Sequence, residues 1–394
     1  MNDSPSTPAF GSVAFDGGRG RMLAVLSVGV AALLAGQLVI APALPAIIAE
    51  FEIAPSQAGV GLTVMWACGA LAMFPGGRSS DLLSRKTVLV ASVAVLVVGF
   101  LVAASAPTFL AFLGGLAVAG IGVGLYEPAN MALVFESFGD RRGRALGVIA
   151  ASYSFGSALA GGFATLAVAL ASWRLAFLPV LVGLACVGAG VHRWSREPYV
   201  LSRASLDPRP TVGRLFDSPS IRRLLGLFCL YMFVWQAAIG FLPTFLRLEK
   251  GLSPALANGA FVAVFLIGLV ISPTIGDLGD RFGHRRVGGS APLVGALGLS
   301  VLVVASGPLV GLGIVLFAVG LMSFWPVMNA YLMARLAPDS LGGDYGLSRG
   351  VFFGAGSLGP VYTGLVAQYA SYGTAYAGLI CCFLASAILV RTVE

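Results

Sequence analysis

The sequence predicts an all-α membrane protein with about twelve transmembrane helices in two pseudo-repeated six-helix bundles. Three observations carry that prediction. The chain is 58% hydrophobic and only 10% charged, with a mean hydropathy of +0.92, whereas a soluble chain carries about 25% charged residues. Its apolar residues fall in blocks of roughly 18 to 26, the length that crosses a hydrocarbon core about 30 Å thick. Bare backbone polar groups are not tolerated in lipid, so such blocks must be helices. Finally, features of the first half return about 199 residues later in the second.

Residues 1–21 are polar and rich in Gly and Ser, and read as a short cytoplasmic lead. The apolar block after Arg19 and Arg21 is too long for the core of a cleaved signal peptide, so it reads as the first span. The expected spans are 22–44, 57–77, 87–106, 109–133, 145–170, 175–192, 224–246, 255–276, 287–305, 308–333, 348–369 and 373–391. They group into an N-terminal bundle over 22–192 and a C-terminal bundle over 224–394. The connecting loop, 193–223, holds Pro198, Pro208, Pro210 and Pro219 among many arginines. Its tail, Leu215 to Leu225, is expected to lie on the membrane surface as an amphipathic helix.

Basic residues orient the spans. With the N-terminus inside, only Arg174, Arg247 and Lys250 of the 24 Lys and Arg residues fall outside. The positive-inside rule then puts both termini in the cytoplasm of a prokaryotic cell membrane. The same bias explains the +7 charge without any nucleic-acid partner. The five cysteines lie in apolar blocks and read as packing residues. His192 and His284 sit at helix ends, so neither a metal cluster nor a catalytic triad is in view. No cofactor is expected.

Three echoes define the repeat. Gly77-Arg-Ser-Ser-Asp81-Leu-Leu-Ser-Arg85-Lys86 follows span two, and Gly276-Asp-Leu-Gly-Asp280-Arg281-Phe-Gly-His-Arg285-Arg286 follows span eight. Gly147 and Gly156-Ser-Ala-Leu-Ala-Gly161 in span five match Gly346 and Gly356-Ser-Leu-Gly-Pro360 in span eleven. Pro128 and Asn130 in span four match Pro326 and Asn329 in span ten.

At these residues the chain resembles the major facilitator superfamily over essentially its whole length. Gly-x-x-x-Asp-Arg-x-Gly-x-Arg-Arg is that superfamily's best-known signature. The second copy is nearly complete, while the first has Leu82 at the Arg position and Ser84 at the Gly position. Trp173-Arg174 and Ala43-Leu44-Pro45 also look like the family. Gly77 and Gly276 would let a helix of the opposite half come close, and Asp81 and Asp280 would face a helix N-terminus, where an anion is favoured. The resemblance implies that those N-termini belong to spans eleven and five. Together with Arg85, Arg281 and Arg285, these residues are expected to form latches that close in one access state and open in the other. Topogenic charge and lipid contact also explain the basic residues Arg85, Lys86, Arg285 and Arg286.

The resemblance further implies that spans one, four, seven and ten line a central cavity. Polar and aromatic residues stranded there are candidates for substrate or proton coupling: Gln37; Tyr126, Glu127 and Asn130; Tyr231, Trp235 and Gln236; Trp325, Asn329 and Tyr331. Interfacial aromatics and amides that glue helices together are the competing reading. Glu127 is the one acid well inside a span, and placing it there costs about 2.5–3.5 kcal/mol. It reads as a proton carrier, as a holder of a cationic substrate group, or as half of a static pair with Arg349, near the start of span eleven.

The expected function is secondary transport of a small organic solute by alternating access, coupled to protons, by a monomer surrounded by lipid and with no enzyme activity. Multidrug export by proton antiport is the alternative. Many such antiporters have an Arg in span four, where this chain has Leu116, and a Gly-Pro pair in span five, where it has Ala160-Gly161. A transporter-like sensor belongs to a different class, and no fused output region supports it. The spans contain no intramembrane pair of cations for an organic dianion, and Arg349 would serve a single carboxylate only by reaching the cavity.

Overall fold

Hydroxyl side chains set where several helices begin. Ser84, Thr108, Ser218, Ser253 and Ser371 each accept a hydrogen bond from the backbone N–H three residues on. Each such cap contributes about 1 kcal/mol and fixes where the chain turns back into the bilayer. Pro55 and Pro254, 199 residues apart, open spans two and eight at positions where the missing N–H costs nothing.

The computed structural model describes residues 17–138, 142–170, 172–195, 197–200, 208–336 and 341–393. Among them are 12 helices long and apolar enough to cross a membrane. Span one is Gly17–Leu38 continued by Ile40–Phe51; spans two to six are Pro55–Leu82, Arg85–Ser105, Phe109–Ser137, Arg142–Ala169 and Phe177–Trp194, the last entered through a tight turn, Trp173–Ala176. Spans seven to ten are Pro219–Leu248, Pro254–Phe282, His284–Val304 and Leu309–Met333. Span eleven is Leu341–Gly356 continued by Leu358–Tyr369, and span twelve is Tyr372–Thr392. Several run past the expected limits because hydropathy sees only the buried part of a helix, not its polar ends. Arg19 and Arg21 accordingly lie in the first helix rather than in a lead.

The connector differs from expectation in the same way. Its amphipathic helix is Arg209–Asp217, and 219–225 already belongs to span seven. The helix is docked rather than loose: Arg214 Nη2 donates to Asp344 Oδ1 (2.8 Å) at the start of span eleven and to Thr211 Oγ1 (3.2 Å). The charged hydrogen bond to Asp344 raises the Arg214 pKa further above its ordinary value.

Packing repeats between the halves. Gly99 in span three and Gly298 in span nine, again 199 apart, let the next helix approach so closely that a Cβ would overlap the backbone of Ala119 or Phe317. At the side opposite the connector, Arg174 donates to the Ala106 carbonyl (2.8 Å) and Lys250 to the Ala305 carbonyl (3.0 Å), placing a cation at the C-terminal ends of spans three and nine. Glu50 accepts hydrogen bonds from Trp173 and Arg174, and its counterpart Glu249 accepts one from the Gly373 N–H (2.8 Å).

The degenerate first signature has a local cause. Gly283 ends span eight with φ +92°, a conformation that favours glycine, whereas Ser84 is extended at φ −115° and uses its hydroxyl to cap span three. No glycine is needed there.

Candidate functional site

The two halves touch chiefly on the side away from the connector. Gly59 and Gly364 bring spans two and eleven into backbone contact, meeting Pro360 and Pro55 respectively. Thr63 Oγ1 donates to the Ser357 carbonyl (2.6 Å), and Asn258 Nδ2 donates to Thr165 Oγ1 (2.9 Å) between spans eight and five. Towards the connector these helix pairs part. A Cβ on Gly147, Gly276 or Gly346 would meet no atom of another element within 4 Å, and one on Gly77 would meet only Pro128 of its own half. The cleft between the halves therefore opens on the connector side.

The described residues expected to form latches make these contacts within their own halves. Arg85 bonds Glu136 and the Ser80 carbonyl, both in the first half, and Arg285 donates to the Arg391 carbonyl (2.9 Å) in the second. Lys86 Nζ donates to the Ser195 carbonyl (3.1 Å). The Asp280 side chain is 75% exposed and lies 3.4 Å from His284 rather than at the start of span five. Arg281 and Arg286 are exposed. The side chain of Asp81 lies outside the described residues.

At the depth of the cleft, Glu127 and Arg349 meet across the halves. Arg349 Nη2 donates to Glu127 Oε2 at 2.6 Å, and the Tyr153 hydroxyl donates to Glu127 Oε1 at 3.2 Å. The carboxylate side chain is 6% exposed and the guanidinium side chain 15%. Both carboxylate oxygens therefore have donors, which offsets the cost of burying the charge. The guanidinium carbon lies 5.0 Å from the Phe353 ring centre and 5.9 Å from that of Tyr345. Phe353 in turn packs at 5.8 Å against Trp66, whose indole meets Trp235 edge-on at 5.7 Å across the halves. Charge cluster and aromatic wall are thus contiguous.

Not every expected residue joins this site. Tyr126 is fully buried inside the first half, its hydroxyl over Gly29 of span one. Tyr231 is core in the second half: it donates to the Gly320 carbonyl and stacks on Phe324 at 3.7 Å. Sequence periodicity places both in the right helices but does not tell the cleft face from the bundle face. Gln236 Nε2 donates to the Phe353 carbonyl (3.3 Å), tying span seven to span eleven just behind the aromatic wall. Gln37 is buried in span one. Asn130 is buried with neither amide atom hydrogen-bonded, and the Oδ1 of its counterpart Asn329 is likewise without a partner. Trp325 is half-buried and packs on Phe324 and Phe352, while Tyr331 carries the Arg335 guanidinium 3.5 Å above its ring. Trp66, Tyr153 and Phe353 join the site from spans two, five and eleven, where the polar run Ser152-Tyr153-Ser154 is the signal in the sequence. No group of three metal-ligating side chains occurs among the described residues.

A family model described as Major Facilitator Superfamily matches residues 26–360. The chain belongs to the Major Facilitator Superfamily. Within the superfamily it is 27% identical to the Bacillus subtilis protein named Uncharacterized MFS-type transporter YwfA, over 90% of this chain and 87% of that one. It is 27% identical to the Escherichia coli Fosmidomycin resistance protein, over 73% of this chain and 71% of the other, and 30% identical to the E. coli 3-(3-hydroxy-phenyl)propionate transporter, over 51% of each. Among solved structures, the superfamily fold recurs in a bacterial homolog of the human lysosomal transporter Spinster, inward-facing and occupied, with a TM-score of 0.77, 18% identity and 96% of both chains covered. It recurs also in a D-xylose-proton symporter, with a TM-score of 0.74, 16% identity, and 94% and 96% covered. As a superfamily member with twelve apolar helices, the chain is a multi-pass membrane transporter.

Proposed function

We propose that this transporter moves a small organic solute across the cytoplasmic membrane by alternating access, driven by protons that Glu127 carries. The observation behind this reading is the buried Glu127–Arg349 pair, which joins the two halves inside a cleft open on one side only. A rocking motion that closes the connector side and opens the other must rearrange a bond shared by both halves, so the protonation state of Glu127 biases the access state. The aromatic cluster of Trp66, Trp235 and Phe353, packed between the halves, supplies apolar side chains with few hydrogen-bonding groups, which suits an organic solute as the halves part. The basic residues support a topology with both termini and the connector in the cytoplasm, which makes the open side the cytoplasmic one. In that reading, Gly77, Asp81, Gly276, Asp280 and their basic neighbours latch the cytoplasmic side when it closes, by a monomer acting alone in lipid.

Export is the second reading, and the Fosmidomycin resistance protein among the relatives favours it. The same cluster serves either direction: a solute bound together with the proton is imported, and a solute that competes with the proton for the site is exported.

Purified protein in liposomes loaded with a pH dye tests the coupling. Addition of a transported solute is expected to move protons, and an imposed pH gradient to drive the solute uphill. Glu127→Gln is expected to abolish both while still permitting solute exchange without a gradient. Unaltered proton-driven accumulation in that variant would sink the proposal.

A further inference from the structure

We infer that the solute is an organic monoanion, a carboxylate carried on an aromatic ring, and that its carboxylate takes the place of Glu127 on Arg349. The inference rests on the transport reading above and adds the chemistry of the cargo.

The argument starts from the asymmetry between the two members of the pair. Glu127 can lose its charge by taking a proton, but a guanidinium stays charged at any physiological pH. When the pair opens, the only charge in the cluster that must keep a partner is therefore the positive one. Removing one partner from a buried ion pair is strongly unfavourable, because the other is left uncompensated. A neutral solute supplies no replacement. A cationic solute would sit against Arg349 and add a second positive charge. An anion supplies what is missing, and its arrival beside Glu127 favours protonation of that carboxyl, since like charges at close range disfavour the ionised form.

The neighbouring groups leave this exchange balanced. The titratable side chains that face Glu127 and Arg349 are Tyr153 from span five and Tyr345 from span eleven. At the connector ends of spans two to four, Arg85 is engaged by Glu136, and Lys86 by the Ser195 carbonyl. At rest the site holds one carboxylate and one guanidinium. Loaded, it holds a carboxylic acid on Glu127, the guanidinium and the bound anion. Net charge is zero in both, so one proton moves with each anion and the cycle is electroneutral.

Ring specificity follows from the contiguity of charge and wall. Phe353 touches both the Arg349 guanidinium and Trp66, and Trp66 meets Trp235. Trp66 and Trp235 are buried where the halves meet, so a flat ring that takes up their place against Phe353 as the halves move puts an attached carboxylate beside Arg349.

Calorimetric titration of the purified full-length protein with benzoate, phenylacetate and cinnamate, and with benzamide and benzylamine as the neutral and cationic controls, tests the inference. Repeating it in buffers of different ionisation heat counts protons. At least one anion is expected to bind with uptake of about one proton, and neither control to bind. Glu127→Gln is expected to keep anion binding and lose the proton uptake; Arg349→Gln is expected to weaken binding by about thirtyfold or more. If Arg349→Gln fails to fold, Arg349→Lys keeps the charge without the planar fork and is expected to bind several-fold more weakly with proton uptake intact. Binding of benzylamine, anion binding without proton uptake, or failure of all three anions to bind would overturn the inference. Benzylamine transport that is proton-driven and dependent on Glu127 would overturn only the anion assignment. Anion binding with proton uptake but no gradient-driven flux would overturn the transport reading instead. In liposomes carrying the bound anion, uptake is expected to respond to a pH gradient and to ignore an imposed voltage.

Discussion

Glu127 on span four and Arg349 on span eleven, 2.6 Å apart, form an ion pair across the two halves of the molecule, and Tyr153 of span five completes it. Because each residue belongs to a different half, the pair contributes to the relative placement of the halves as well as to the chemistry of the cleft.

The single variants Glu127→Gln and Arg349→Gln should each destabilise the cleft-open form, Arg349→Gln by about 3–5 kcal/mol, since it leaves the carboxylate buried with a hydroxyl as its remaining donor. The double variant should recover most of that loss. Thermal unfolding in detergent across the four proteins of the cycle measures the coupling, and additive losses would show that the pair does not act as a unit.

Closure of the far side should depend on the Asn258–Thr165 bond. Asn258→Ala is expected to cost about 0.5–1.5 kcal/mol in that closed arrangement. A cysteine introduced at Ser56, which lies against Gly364 in the sealed interface, should then react with a maleimide up to about tenfold faster in a cysteine-free background. An unchanged labelling rate would remove this bond from the gate.

Gly99→Val and Gly298→Val should disturb equivalent contacts in the two halves. Each places a branched side chain where the next helix's backbone already lies, an overpacking of about 1–3 kcal/mol or more. Lower melting temperatures of similar size in both variants are expected. A large loss in one with none in the other would argue that the halves pack differently at these positions.

Arg214→Ala should release the connector helix from Asp344. Trypsin is then expected to cut the connector several-fold faster, with a weaker dependence on salt than in the parent protein. Equal digestion rates would mean that other contacts hold this helix.

The spans and the repeat were legible because both are written locally: apolar runs of bilayer length, Pro55 and Pro254 at matching starts, and glycine pairs at a constant spacing. Orientation of side chains was not. Tyr126 and Tyr231 occupy spans four and seven yet point into their own bundles, and an apolar helix in an apolar bundle has no amphipathic stripe to reveal that. Asp344 was invisible for a different reason: span eleven starts at Leu341, among glycines and charges that read as loop. The pairing of Glu127 with Arg349 is one of the three readings the sequence offers for that acid, because few charges are near enough to compete. The donor Tyr153 is not among them, since the sequence alone does not bring span five to the cleft.

The constant spacing between the halves also exposes what was never duplicated. With Pro128 matched to Pro326, the residue opposite Glu127 is Trp325, and counting back 199 from Arg349 reaches Ala150. The framework is symmetric, but its charged centre occurs once, on one flank of the pseudo-twofold axis. The two halves are therefore alike as scaffolds and unlike as instruments: one donates the group that can be switched, the other the charge that cannot. Exchanging them would rebuild the shape of the protein and reverse its chemical handedness.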